Sequence, residues 1–119
     1  MAFPGTFNFN YYRGDTNEFV VRPKNSNGES FNLTNFSANF TIANKRGPGA
    51  TVVQYSATAT VNTATNIITC KINPSLGRTL SAGTYVYDVQ IINTVPDPDV
   101  ILTVLTGSIT VTDDVTGAI

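Results

Sequence analysis

The sequence contains no histidine and no tryptophan. Histidine is the usual general base near neutral pH and the commonest metal ligand, so its absence removes Ser-His and Cys-His nucleophile pairs and any imidazole-based metal site. Without a base beside it, none of the many serines and threonines is predicted to act as a nucleophile. We therefore predict that the protein is not an enzyme, and we expect neither a cofactor nor a bound metal.

Cysteine and charge are also scarce. The single cysteine, Cys70, excludes an internal disulfide and a thiolate-only metal site. Charged residues make up 13% of the chain, against about 25% in an average soluble domain, and the formal net charge is -1. Without a basic field, binding to the phosphates of nucleic acid is not expected. The fold must therefore be held together by packing.

Long apolar segments are absent as well. No stretch approaches the roughly 18 apolar residues that would span a bilayer. The N-terminal MAFPGTFNFNYY lacks the basic start and the apolar run of a secretory signal. We therefore expect a chain that is made in the cytoplasm and has no membrane partner.

Threonine, asparagine and valine make up much of what the chain does contain. β-Branched side chains are stiff at χ1 and pack well on a pleated surface, so this composition favours strands over helices. A chain of 119 residues fits one domain, which can bury roughly two-thirds of the surface that the unfolded chain exposes. We predict a single domain over residues 1–119, with residues 1–6 and 113–119 as candidate extended arms.

Alternation of apolar and polar residues predicts seven or eight short strands. In chain order we expect them at about 7–12, 18–23, 37–43, 51–61, 68–72, 82–92, 100–105 and 108–112. The last two are predicted as separate pieces because an interior glycine, Gly107, often marks a bulge or bend. Pro74 and the spacing of Leu76 and Leu80 predict a single helical turn or short 3₁₀ stretch at about 74–80.

The core is predicted from the same alternation. Cys70 is in phase with Ile68 and Ile72, so we expect it to face the core as a small hydrophobic residue, and Leu33 is expected to fill the core from a loop. An antiparallel immunoglobulin-like sandwich of two sheets best accommodates so many short strands with short connections. A small closed barrel is the alternative.

Two sets of residues suggest sites but are better explained as turns. Arg13-Gly14-Asp15 matches a tripeptide that integrins recognise, yet Gly-Asp is also good turn chemistry between two strands. The late acidic residues lack the ordered spacing of a calcium loop, and we interpret them as solvated turns: Asp97, Asp99, Asp113 and Asp114.

A carboxylate pair for glycoside hydrolysis would have to come from the same aspartates together with Glu18, Glu29 and Asp88. No aromatic subsite pattern accompanies them, and no tryptophan is present to stack on a sugar. A small hydrolase is therefore disfavoured.

The segment AGTYVYDVQII places the lone carboxylate of Asp88 in the middle of a strand. We expect Asp88 to be exposed and to bond a Thr or Lys of the neighbouring strand. Alternatively, its face of the strand is an interface that fixes how another subunit docks, since interfaces mix apolar and polar groups. The candidate interface residues are Val86, Asp88, Gln90 and Ile92 on this strand, with Tyr12 and Tyr55, the tyrosines out of phase with the core.

Several motifs follow one another in a recognisable order between about residues 10 and 116. They are Gly14-Asp15-Thr16 entering a strand, the Asn27-Gly28 turn, Asn32-Leu33-Thr34, Gly83 with Tyr85, Tyr87 and Asp88, and Leu105-Thr106-Gly107 before a final strand. This order resembles the immunoglobulin-like β-sandwich domains of tailed-bacteriophage virion proteins, of the kind found at baseplates and tail-fibre connectors.

The resemblance implies a non-enzymatic virion structural protein, present in many copies as an adaptor or connector of the tail or baseplate. Its expected partners are other tail, baseplate or capsid subunits and further copies of itself. A capsid decoration protein is the alternative within this class. A carbohydrate-binding module, which stacks aromatic faces on sugars, is the alternative from another class.

Overall fold

The structure, a computed structural model, describes residues 4–47 and 52–113. Within these residues the elements in chain order are β1 (Gly5–Thr6), β2 (Phe9–Tyr12), β3 (Asn17–Val21), β4 (Ser37–Ala43), β5 (Gln54–Asn62), β6 (Ile67–Ile72), α1 (Pro74–Gly77), β7 (Gly83–Asn93) and β8 (Val100–Thr112). The prediction of an all-β chain with one short helical turn is confirmed. The described part holds no helix with the length and apolar character that a membrane crossing requires.

The N-terminal strand lies closer to the start of the chain than predicted. Gly5 and Thr6, assigned above to an extended arm, form β1, and Phe7 continues the pairing because its N–H donates to the Thr106 carbonyl at 3.0 Å. The remainder of the two predicted arms, residues 1–3 and 114–119, lies outside the described residues.

The last strand is continuous, whereas two pieces were predicted. β8 runs through Gly107, and the irregularity lies elsewhere: Val89 pairs with Leu105 but Gln90 pairs with Thr103, so Val104 is an extra residue in β8. Gly107 instead allows the backbone at Phe7 to approach β8 closely. A Cβ atom there would collide with the Phe7 carbonyl, and this contact explains a glycine in the interior of a strand.

The strands form a mixed sheet in the order β1-β8-β7-β4-β5-β6-β3, and β2 also pairs with β8. β1 and β2 are parallel to β8, and the other ladders of the described residues are antiparallel. The prediction of an antiparallel arrangement throughout is therefore wrong. Alternation indicates which side chains share a face, but it does not encode the direction of a partner that is about 100 residues away in the sequence.

The sheet curls because β5 belongs to two ladders. Residues 54–57 pair with β4, and residues 58–62 pair with β6. The curl brings β6 and β3 over the inner face of β4, β7 and β8, so the sheet forms a half-barrel around one core.

Aromatic side chains join the two ends of the half-barrel. Phe19 of β3 packs against Phe9, Phe40 and Tyr87, with ring centroids 5.4, 5.5 and 6.1 Å away. Leu33 and Cys70 are fully buried, which confirms both core predictions. Burial in this apolar environment raises the pKa of the Cys70 thiol to about 12.

The Arg13-Gly14-Asp15 segment is a turn, as predicted. The Asp15 N–H donates to the Tyr12 carbonyl at 3.0 Å, and Gly14 has a φ of 89°. The Arg13 guanidinium donates to the Leu80 and Arg78 carbonyls at 3.0 and 2.9 Å. Arg13 thereby ties the β2–β3 turn to the segment after α1, and its charge is not presented on a free loop.

Candidate functional site

The outer face of β7, which points away from the core, carries Val86, Asp88, Gln90 and Ile92 as predicted. Asp88 lies directly between Thr41 of β4 and Thr106 of β8. All four side chains are half-buried, whereas Asp88 was expected to be exposed. Lys45, Arg46 and Gly47, which follow β4, lie beside Val86, Asp88 and Gln90 on this face.

Arg46 crosses this face of the sheet. It follows β4, and its Nη2 atom extends past β7 to donate to the Thr106 hydroxyl at 2.7 Å and to the Gly107 carbonyl at 3.2 Å. Asp88 lies beneath this crossing. Burial raises the pKa of the Asp88 carboxyl, and the Arg46 charge partly opposes that increase.

A polar pocket of about 270 Å³, the Arg46 pocket, opens beside this crossing. Its lining is Thr41, Ala43, Lys45, Arg46, Gly47, Val52, Gln54, Val86, Tyr87, Asp88 and Gln90. Two cations and one carboxylate meet here in a chain that is only 13% charged. The described lining contains hydrogen-bond donors and acceptors and one carboxylate, whereas glycoside hydrolysis uses a pair of carboxyl groups.

An apolar groove of about 410 Å³, the seam, separates the two ends of the curled sheet. One wall is β1 with the middle of β8, and the other is β3 with the residues that follow it. The lining residues are Gly5, Phe7, Phe19, Val20, Val21, Arg22, Pro23, Lys24, Val104 and Leu105. Among the described residues no ladder joins β1 or β2 to β3, so both walls end in strand edges that lack a neighbour.

The seam exposes large apolar side chains. Phe7 is 44% exposed and Val20 is 41% exposed. The charged residues of its lining are Arg22 and Lys24, both basic and both exposed. The seam is therefore an apolar groove with a basic rim.

The remaining predicted interface residues do not form one surface. Tyr12 is 57% exposed at the end of β2. Tyr55 lies opposite Ile42 on the core-facing side of β5 and packs edge-on against Tyr85, with ring centroids 6.3 Å apart, so its expected exposure was wrong. Ile92 pairs with the exposed Ile101, near the end of the β7–β8 hairpin.

The acidic residues lie apart from one another. Asp97 and Asp99 are exposed in the β7–β8 connection, Asp113 follows β8, and Asp114 lies outside the described residues. Over residues 4–47 and 52–113, no group of three or more acidic or cysteine side chains is arranged to hold a metal ion.

Several residues of both surfaces were not predicted as site residues. Arg46 of the pocket follows a strand in a loop whose course the sequence does not specify. In the seam, Phe7 alternates in phase with Phe9 and Tyr11, but its side chain is exposed at the open edge. The sequence signal for the seam was the segment EFVVRP at residues 18–23. Val20 breaks its alternation and places an apolar side chain on the outer face.

The comparisons with known proteins yield little. No family model and no curated protein matches the sequence. A family 123 glycoside hydrolase from Clostridium perfringens, studied for glycolipid glycan hydrolysis, is similar in structure with a TM-score of 0.39 and 16% identity. The match covers 93% of this chain and 23% of the hydrolase chain. A similarity at this level supports no conclusion about the fold or the activity of this chain.

Proposed function

We propose that the chain is a non-enzymatic structural subunit of a tailed-bacteriophage virion, present in many copies as an adaptor or connector in the tail or baseplate. The observation that carries the proposal is the seam, where two strand edges that are unpaired among the described residues face each other across exposed apolar side chains. Exposed edges and apolar grooves are surfaces on which proteins dock. The order of sequence motifs described above supplies the virion context.

The chemistry of the Arg46 pocket supports a binding role over a catalytic one. Its lining has one carboxylate, and the chain has no histidine that could act as a base. Of the two tyrosines expected on the surface, Tyr12 is exposed and Tyr55 packs against Tyr85, so they do not form a stacking platform for a sugar. A structural subunit therefore fits these surfaces better than a carbohydrate-binding module.

The proposal includes the immunoglobulin-like relationship of the fold. Its support is the participation of β5 in both ladders, which places two layers of short strands over one aromatic core. Comparing this strand order with that of an immunoglobulin-like virion domain of known structure tests the relationship directly.

Virions purified from the source of this sequence are the material for the test. Mass spectrometry is expected to detect the chain at many copies per particle, and a reconstruction is expected to locate it in the tail or baseplate. A location on the head lattice would favour the capsid decoration role instead. Absence from purified particles, or turnover of chromogenic glycosides by the purified chain, would contradict the proposal.

A further inference from the structure

The seam has the form of an acceptor for one extended strand. β3 and β1 each pair on one side only within the described residues, and their other sides border the same apolar groove. An added strand would satisfy unpaired backbone groups of an edge and cover Phe7 and Val20, which are large and exposed. Its inward side chains would have to be apolar, to match the walls of the groove.

The rim of the seam adds a requirement of charge. Arg22 and Lys24 lie on one side of the groove, and no acidic residue belongs to its described lining. An extended segment with acidic residues at one end and alternating apolar residues after them therefore complements this surface best.

Residues 113–119, DDVTGAI, fit that description. Asp113 and Asp114 are the only adjacent pair of acidic residues in the sequence, and Val115 and Ile119 follow in the same phase of an extended chain. We propose that this segment of one copy docks as an extended strand in the seam of a second copy. The inference rests on the proposed function, in which many copies assemble together.

The direction of β8 explains why the acceptor is another copy. β8 passes the seam at Leu105 and ends at Thr112, beside the β2–β3 turn, where the Thr112 carbonyl accepts the Arg13 N–H at 2.8 Å. Thr112 lies seven positions after Leu105 in the strand, a distance of about 23 Å at the usual rise per residue. At its end β8 therefore points away from the seam of the same copy. Such a contact can close reciprocally between two copies that exchange their segments, or run head-to-tail into a ring or a filament.

Charge reversal with rescue tests the proposal. Sedimentation equilibrium of the full chain at low salt is expected to give a weight-average mass that rises above 12.7 kDa with concentration. Arg22→Glu with Lys24→Glu, or Asp113→Lys with Asp114→Lys, places like charges together and is expected to weaken association about tenfold or more. The chain with all four substitutions is expected to associate again, because the complementarity is restored with reversed signs.

Two controls separate this contact from general charge effects. Lys71→Glu with Arg78→Glu changes the net charge as much as the first pair but lies outside the seam and outside the Arg46 pocket, and association is expected to be unchanged. Asp97→Lys with Asp99→Lys is the matching control for the second pair. Circular dichroism verifies that every variant is folded.

A monomer mass for the full chain at millimolar concentration would overturn the inference. The same holds if the folded four-substitution chain fails to regain association. Failure here is distinct from failure of the proposed function. A chain found in virions but not associating through the seam refutes the strand contact alone, and a chain that associates through the seam but is missing from virions refutes the virion role.

Discussion

The guanidinium of Arg46 and the hydroxyl of Thr106 are 2.7 Å apart, although β7 lies between the strands that position them. This hydrogen bond joins the chain after β4 to β8 across the outer face of the sheet. It also holds a positive charge above Asp88, the carboxylate in the middle of β7.

Replacing Arg46 with alanine is expected to lower the free energy of unfolding by about 1 kcal/mol, since hydrogen bonds with a charged donor are lost at a partly exposed site. Urea denaturation monitored by circular dichroism measures the change. Lys45→Ala, which removes the neighbouring charge, serves as the control and is expected to stay within about 0.5 kcal/mol of the parent. Equal effects of the two substitutions would contradict the role of this crossing.

Asp88 is expected to oppose stability when it is ionised. Its pKa is raised above the ordinary 3.8 mainly by burial, so the folded state binds the proton more tightly than the unfolded state does. The stabilisation that the protonated Asp88 gives to the folded state is complete below the pKa of the unfolded state. It is lost as the pH rises through the pKa of the folded state. Asp88→Asn is therefore expected to be more stable than the parent at pH 7, by less than about 1 kcal/mol because the site is partly solvated.

The pH dependence provides the check on Asp88. Urea midpoints of the parent and of Asp88→Asn, measured from pH 3 to pH 7 (roughly the range over which carboxyl groups titrate), are expected to diverge in the upper part of the range. If the stability advantage of Asp88→Asn were largest at the acidic end, the result would contradict a raised pKa for Asp88.

Gly107→Ala is expected to be severely destabilising, at about 3 kcal/mol, because the new methyl group would collide with the Phe7 carbonyl and displace the N-terminal strands from β8. Gly5→Ala is the matched control on β1. A Cβ atom there would meet Leu105 at an ordinary 3.6 Å, so little loss is expected. Thermal unfolding compares the two, and a well-tolerated Gly107→Ala would refute the close approach.

Cys70 is expected to be inert in the folded protein. It is fully buried, and burial raises its pKa to about 12, so almost no thiolate forms at neutral pH. Labelling with a thiol-specific reagent is expected to be absent in buffer and complete in denaturant. Fast labelling without denaturant would show that the core around β6 opens locally.

The sequence was sufficient to predict the strands whose side chains alternate on a buried face. β4, β6 and β7 lie close to their predicted bounds, because in each of them apolar residues recur at every second position over at least five residues. The core position of Cys70 followed from the same pattern, and that of Leu33 from its apolar character in a polar loop.

The parts that could not be predicted depend on which distant segments meet. The parallel pairing of β1 and β2 with β8 involves residues that are 100 positions apart, and local alternation carries no information about it. The Arg46 pocket and the seam likewise depend on contacts between segments that are distant in the sequence. Arg46 contacts β8 across a third strand, and the seam exists only because the curl brings β3 near β1 without pairing them.

The division of β5 between two ladders has a consequence for cooperativity. A strand that is hydrogen-bonded to β4 over residues 54–57 and to β6 over residues 58–62 cannot be released from one side without loosening the other. We therefore expect the amide hydrogens of β4 and β6 to exchange with solvent through a common opening event. The bend in one strand makes the two layers a single thermodynamic unit.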